Sequence, residues 1–194
     1  MKNRDIHHYL TLKHFLDFVL SLLLLILLIP LFIIISILIK ISSKGPVIFK
    51  QYRLGKNGKK FKMYKFRSMV VDAENSSSTT VPNDIRITKL GKFLRITNID
   101  ELPQLINILK GEISLIGPRP ISCLEFEYED FSKEQQKRFK VRPGITGLAQ
   151  INGRKSLDLD KKCEYDIQYV NSICFGLDLK IFFLTLLVLL KDNY

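Results

Sequence analysis

The 194 residues carry a net charge of +11, enough chain for one domain with a modest core and a balance that attracts polyanions. Cys123, Cys163 and Cys174 are odd in number and form no C-x-x-C, which excludes a disulfide framework or a zinc site and fits reduced thiols. The three histidines are His7, His8 and His14. From Phe15 onward Ser-His-Asp and Cys-His catalysis are therefore excluded, and acid–base or nucleophilic work falls to carboxylates, Lys, Tyr, Ser or Cys.

Phe15 to Ile39 is apolar apart from Asp17, Ser21, Pro30 and Ser36, long enough as one straight helix to cross a hydrocarbon core of roughly 30 Å. Its length, with no small-residue cleavage site after it, argues against a signal peptide. Pro30 removes a backbone hydrogen bond and clashes with the preceding turn, so it divides the run into pieces too short to cross alone. Basic residues flank both ends: Lys2, Arg4 and Lys13 on one side, ten cations between Lys40 and Arg67 with no acid among them on the other. The length by itself favours a simple span; the two basic flanks favour a helix that enters and leaves by one face. The cation block beside an apolar run points to anionic lipid and away from nucleic acid.

Val47 to Met69 predicts a basic β-hairpin, VIFKQYR and KFKMYKF around LGKNGK, with Asn57-Gly58 as a two-residue turn. Asp72 to Asp84 reads as an exposed loop. Ile85 to Ile96 predicts a short helix carrying Lys89, Lys92 and Arg95 toward a pair of adjacent acids. That pair belongs to Thr97 to Pro120, TNIDELPQLINILKGEISLIGPRP. This stretch sets Asp100 and Glu101 at the start of an apolar helix, with Pro103 in the first turn and Gly111 as the stop. The positive end of the helix favours ionised carboxylates, and a cation would favour them further. Ordinary capping by Thr97, Asn98 or Asp100 is the competing reading of the same acids.

Glu125 to Asp130 is an acidic patch, and Ser132 to Gln135 resembles a capping box opening a helix to about Lys140. VRPGITGLAQINGR, Val141 to Arg154, crowds Gly and Pro turns between Arg142 and Arg154, two candidates for holding phosphate. It contains neither a P-loop nor a Rossmann fingerprint. Leu157 to Val170 predicts a helix with Tyr165 and Tyr169 on one face. Asp158-Leu-Asp160 is formally the D-x-D of nucleotide-sugar glycosyltransferases. Ile173 to Leu190, interrupted by Asp178 and Lys180, predicts a helix lying at the membrane face.

Together these stretches resemble the small monotopic phosphoglycosyl transferases, a bacterial sugar transferase family that begins glycoconjugate assembly on a polyprenyl carrier. The resemblance runs through KFRSM (65–69), LGKFLR (90–95), DELPQL (100–105), LKGEISLIGPRP (109–120), VRPGITGLAQINGR (141–154), EYD (164–166) and LDLK (177–180). DELPQ with GPRP at this separation is its most specific part. Members often have Ser before the helix-breaking proline, where this chain has Ile29.

The resemblance implies a mostly α fold with a small β-hairpin: a re-entrant membrane helix over 1–40, then a cytosol-facing catalytic domain over 41–194 with interfacial helices, at the cytoplasmic face of the bacterial inner membrane. The implied reaction moves a phosphosugar from a UDP-sugar to polyprenyl phosphate, releasing UMP through an aspartyl-phosphosugar intermediate. Asp100 matches the nucleophile and Glu101 its partner, both being candidate ligands of Mg²⁺. Arg119 matches the phosphate-binding arginine and Arg95 is a candidate second contact; Arg142, Arg154, Lys65 and Arg67 stand beside them as candidate substrate-binding residues. A basic membrane adaptor would need the cation block but neither acid.

Overall fold

The structure, a computed structural model, describes residues 3–70, 84–153 and 156–191, with side chains from 6 to 188. The fold is mostly helical with a small antiparallel hairpin, as the sequence predicts. Helix α1 spans Asn3–Leu27 and α2 spans Ile29–Ser42, with Leu28 alone between them out of helical geometry. The break falls where Pro30 has no N–H to give; the ladder resumes at Phe32, whose N–H reaches the Leu28 carbonyl at 2.9 Å. Ile6–Leu27 is long and apolar enough to cross a membrane by length and composition.

Lys13, Asp17 and Ser21 recur every fourth residue and form one stripe of α1, which turns inward and is buried. Lys13 Nζ lies 2.9 Å from Asp178 Oδ2, and Asp17 Oδ2 accepts from Ser114 Oγ at 2.5 Å. Asp17 and Ser21 of the apolar run thus face protein, and Phe15, Leu23 and Leu27 are left on the outside. Both sides of the break rest on the same body. Ile6, Tyr9 and Leu10 pack with Tyr169, Ile173 and Ile181; Leu25 and Leu28 pack with Phe61, Met63, Leu105 and Ile108; Ile35 and Ile39 join Phe66 and Leu94.

Strands β1 (Ile48–Leu54) and β2 (Lys60–Phe66) pair antiparallel, Lys50 opposite Tyr64 and Tyr52 opposite Lys62. The turn residues are as expected but the connection is longer than the two-residue turn predicted. The Gly55 N–H closes on the Lys59 carbonyl at 2.8 Å, so five residues, Gly55 to Lys59, bridge the strands, with Asn57 and Gly58 both at positive φ. Helix α3 (Lys89–Ile96) is capped by Thr88, which accepts from the Gly91 N–H at 2.9 Å. Gly91 lies so near the Ser68 carbonyl that a Cβ would sit 1.8 Å from its oxygen, so the glycine fixes how closely α3 approaches the end of β2. The predicted loop over Asp72–Asp84 lies outside the described residues except for Asp84, which is buried and paired with Arg86 at 2.5 Å.

Helix α4 (Gln104–Leu109) is followed by Gly111 at φ 72°, the expected stop. Strands β3 (Ser114–Ile116) and β4 (Gly144–Thr146) form a parallel pair that the sequence does not predict, the second strand lying in a stretch that reads as turns. Glycine permits it: a Cβ on Gly144 would fall 2.1 Å from Gly117 N. The Ser132/Gln135 box forms in both directions, yet the helix after it, Gln135–Lys140, is 3-10 rather than α. Helices α5 (Leu148–Ile151), α6 (Leu159–Ser172) and α7 (Phe175–Lys191) complete the chain. Asp178 faces inward; Phe175, Leu179, Phe182, Phe183 and Leu186 face out.

Candidate active site

The two adjacent acids do not cap α4. They lie in a separate 3-10 turn, Ile99–Glu101, reached through Asn98 in the left-handed region at φ 54°. Pro103 occupies the cap position of α4 without a side-chain bond. Ile99 and Leu102 anchor the turn on the Phe66–Leu94 cluster, and Asp100 between them is buried. Behind the turn, fully buried Asn107 ties α4 to β2. Its Oδ1 accepts from the Tyr64 N–H at 3.0 Å and its Nδ2 donates to the Lys62 carbonyl at 2.8 Å. That fastening puts Lys65, three positions along β2 from Lys62, in reach of Glu101.

Glu101 is gripped from two sides. Lys65 Nζ donates to Oε1 at 2.7 Å. Arg119 donates NH1 to Oε2 at 3.3 Å and NH2 to Oε1, and also reaches the Ile145 carbonyl at 3.2 Å. Among the described residues no hydrogen bond or ion pair engages the carboxylate of Asp100. The acids therefore differ electrostatically. Burial raises Asp100 above the ordinary aspartate value; Lys65, Arg95 and Arg119 oppose that rise and Glu101 adds to it. Burial would raise Glu101 also, but Arg119 and Lys65 overcome it and hold its carboxyl well below the usual range. Burial draws Lys65 down, and Glu101 draws Arg119 up.

The remaining predicted residues divide. Arg95 joins the field around Asp100 and donates Nε to Ser68 Oγ at 2.7 Å. Lys89 and Lys92, on the same helix, point to solvent. Arg67 turns to the end of α2, where NH2 donates to the carbonyl and the hydroxyl of Ser43, each at 2.8 Å. Arg142 lies against Gly111 and is influenced by Asp17. Arg154 lies outside the described residues. The D-x-D acids do other work: Asp158 caps α6 through the Lys161 N–H at 2.7 Å, and Asp160 accepts from Gln135 Nε2 at 2.8 Å.

Two arginines that are not among the predicted contacts hold the loop that presents Arg119. Arg53 NH1 donates to the Pro120 carbonyl at 3.4 Å, and Arg138 NH2 donates to the Arg119 carbonyl at 3.0 Å. Neither carries a motif, and within KEQQKRFK Arg138 reads as one more solvated charge.

For a metal, no three His, Cys, Asp or Glu gather among the described residues, so this site offers two neighbouring carboxylates. That set fits Mg²⁺, which is commonly held by one or two carboxylates together with substrate phosphates. A buried carboxylate with free oxygens beside two cations suits attack on a phosphorus whose charge those cations neutralise.

The family model described as bacterial sugar transferase matches residues 8–192. A UDP-glucose:undecaprenyl-phosphate glucose-1-phosphate transferase of Klebsiella pneumoniae is 46% identical over 176 residues, covering 87% of this chain and 38% of that protein. An uncharacterized sugar transferase of Bacillus subtilis, EpsL, is 47% identical over 149 residues, covering 76% of this chain and 72% of that protein. An undecaprenyl-phosphate galactose phosphotransferase of Salmonella typhimurium is 39% identical over 165 residues, covering 77% and 34%. The chain thus spans little more than a third of the Klebsiella and Salmonella relatives.

Proposed function

Because the chain belongs to the bacterial sugar transferase family, we propose that it transfers a sugar 1-phosphate from a UDP-sugar to polyprenyl phosphate at a membrane surface, releasing UMP. The observation that carries this reading is the contrast between the two acids: Asp100 buried and uncommitted, Glu101 gripped by Lys65 and Arg119. An Asp100 oxygen attacks the sugar-bearing phosphorus of the UDP-sugar. The bond from that phosphorus to the bridging oxygen breaks and UMP leaves, so the phosphosugar becomes an acyl phosphate, a mixed anhydride of the Asp100 carboxylate. An oxygen of polyprenyl phosphate then attacks the same phosphorus, and Asp100 departs as a carboxylate.

Arg119, half-exposed on its loop, has donors left over from its bonds to Glu101 and the Ile145 carbonyl to offer the diphosphate. Lys65 and Arg95 add positive charge around Asp100. Asp100 and the less committed Oε2 of Glu101 are the groups that would hold Mg²⁺, which when bound neutralises phosphate charge and polarises the leaving group.

The same reading makes the apolar helices the anchor. A re-entrant segment bent at Leu28 and Pro30 keeps both ends on one face, and it is supported by the packing of α1 and α2 on one body on either side of the break. That geometry holds Asp100 near the plane of the carrier's phosphate, at the cytoplasmic face of the bacterial inner membrane.

The relatives' names make UDP-glucose and UDP-galactose the first donors to assay. Multiple-turnover UMP release that depends on polyprenyl phosphate and on Mg²⁺, with a single equivalent of UMP and a phosphosugar on the Asp100 peptide when the acceptor is left out, is the expected result. Release of UDP instead would sink the proposal, since it marks glycosyl rather than phosphoglycosyl transfer.

A further inference from the structure

Beneath the Gly117 to Pro120 loop lies a buried ion pair that touches neither acid of the site. Arg138 and Asp166 are 4% and 1% exposed, and the guanidinium bonds the carboxylate through NH2. The same NH2 donates to the Arg119 carbonyl at 3.0 Å. The guanidinium also lies over two rings, its carbon 5.4 Å from the centre of Phe139 and 6.0 Å from that of Phe131. Arg138 Nε and NH1 and Asp166 Oδ1 are buried and have no hydrogen-bond partner among the described residues. Burial raises Asp166 to about 6, with Arg138 and then Lys162 opposing.

A pair so deeply buried and so incompletely satisfied adds little to stability; apolar side chains of similar volume commonly do as well or better. What an apolar replacement could not supply is the donor to the Arg119 carbonyl. Arg53 reaches the next carbonyl, that of Pro120, from the hairpin side. Opposite, Gly117 N–H reaches the Thr146 carbonyl at 2.8 Å and Gly144 N–H the Pro118 carbonyl at 2.9 Å. Consecutive peptide groups of the loop are thus fastened by different elements.

We propose that Arg138 and Asp166 are positioning residues for phosphosugar transfer: Asp166 aims Arg138, and Arg138 fixes the backbone from which the Arg119 fork reaches the substrate diphosphate. The inference rests on the transferase reading above. A misplacement of about 1 Å at a positioned group costs on the order of 100-fold in rate, so the variants should lose about that much kcat/KM.

Asp166→Asn leaves a buried cation unpaired and can fail to fold, so the deciding variant is the double change Arg138→Met with Asp166→Leu, which removes donor and charge together. Full-length protein in detergent is followed by thermal unfolding, by hydrogen exchange resolved to the peptides carrying Gly117 and Gly144, and by UMP release. The expected result is an unfolding temperature equal to or above that of the parent, faster exchange at Gly117 and Gly144 with α4 unchanged, and a roughly 100-fold loss of kcat/KM. Unchanged exchange in the folded double variant overturns the positioning role, and so does faster exchange with kcat/KM intact. A parent chain that releases no UMP fails the transferase reading instead, and the exchange data still decide whether the pair holds the loop.

Discussion

Arg119 holds Glu101 by both carboxylate oxygens, NH1 reaching Oε2 at 3.3 Å and NH2 reaching Oε1, while Asp100 one residue earlier takes no part in that fork. Adjacent acids in one 3-10 turn are thereby given opposite surroundings. Glu101 is an anion fixed between two cations, and Asp100 has no hydrogen-bond or ion-pair partner among the described residues.

Asp100→Asn should abolish UMP release, by at least about 1,000-fold, with no loss of unfolding temperature, because the amide removes a charge that burial disfavours in the folded state. Glu101→Gln should lose activity and also stability. It strips Lys65 and Arg119 of their shared anion, an effect of roughly 1 kcal/mol because Arg119 is 45% exposed and screened by water. Thermal unfolding of the two variants side by side checks the difference; equal destabilisation would contradict it.

How far the sequence discloses this site depends on how local each contact is. DELPQL puts its acids just ahead of one short helix ended by Gly111, but does not disclose the separate 3-10 turn that Asn98 opens at positive φ; GPRP places Arg119 because two prolines restrict the chain on either side of it. The hairpin is readable from its aromatic and β-branched strands. Its connection is not: Gly58 lies so close to Tyr128 that a Cβ would sit 2.7 Å from the ring, an approach that no local turn rule contains. The β3–β4 pair is too short for any periodicity and joins residues about thirty apart through glycines that read as turns. Arg138 reads as solvated because its burial comes from Phe131, Phe139 and Asp166, which no spacing rule links to it.

Arg119→Lys keeps the positive charge and loses the planar fork. A single ammonium cannot hold both Glu101 oxygens and also reach the Ile145 carbonyl, contacts that one guanidinium makes here. Steady-state kinetics should show kcat/KM down about 100-fold, and unchanged kinetics would reduce Arg119 to a turn residue.

The pH profile should carry the signature of Asp100. Attack needs the ionised form; burial raises this carboxyl in the metal-free protein and bound Mg²⁺ would draw it back, so activity should climb with pH through the Asp100 titration. Lys65 opposes that rise, so Lys65→Met should move the acid limb to higher pH. Glu101 behaves in the opposite sense. Its folded-state value is depressed by Arg119 and Lys65, so the stability it supplies is complete above the ordinary glutamate range and is lost only as pH falls toward the folded value. Rate and unfolding profiles from one protein preparation should therefore separate. An acid limb that stays put in Lys65→Met would show that another group sets it.

The orientation of the anchor is the remaining test, and the packing chooses the positions to probe. Lys13, Asp17 and Ser21 turn the polar stripe of α1 toward protein, and Lys13 pairs with Asp178 on α7. A straight span would draw this end of α1 away from α7 or carry α7 into the bilayer with it. In the re-entrant arrangement the Lys13–Asp178 pair stays beneath the surface while Leu23 and Leu27 dip into one leaflet, and the chain returns at Lys44. His8 and Lys44 are exposed at the two ends. We expect His8→Cys and Lys44→Cys, in a background with Cys123→Ser, Cys163→Ala and Cys174→Ser, to resist an impermeant maleimide added outside spheroplasts and to react after lysis. Labelling of either position in intact spheroplasts would mean a true span and would sink the re-entrant reading.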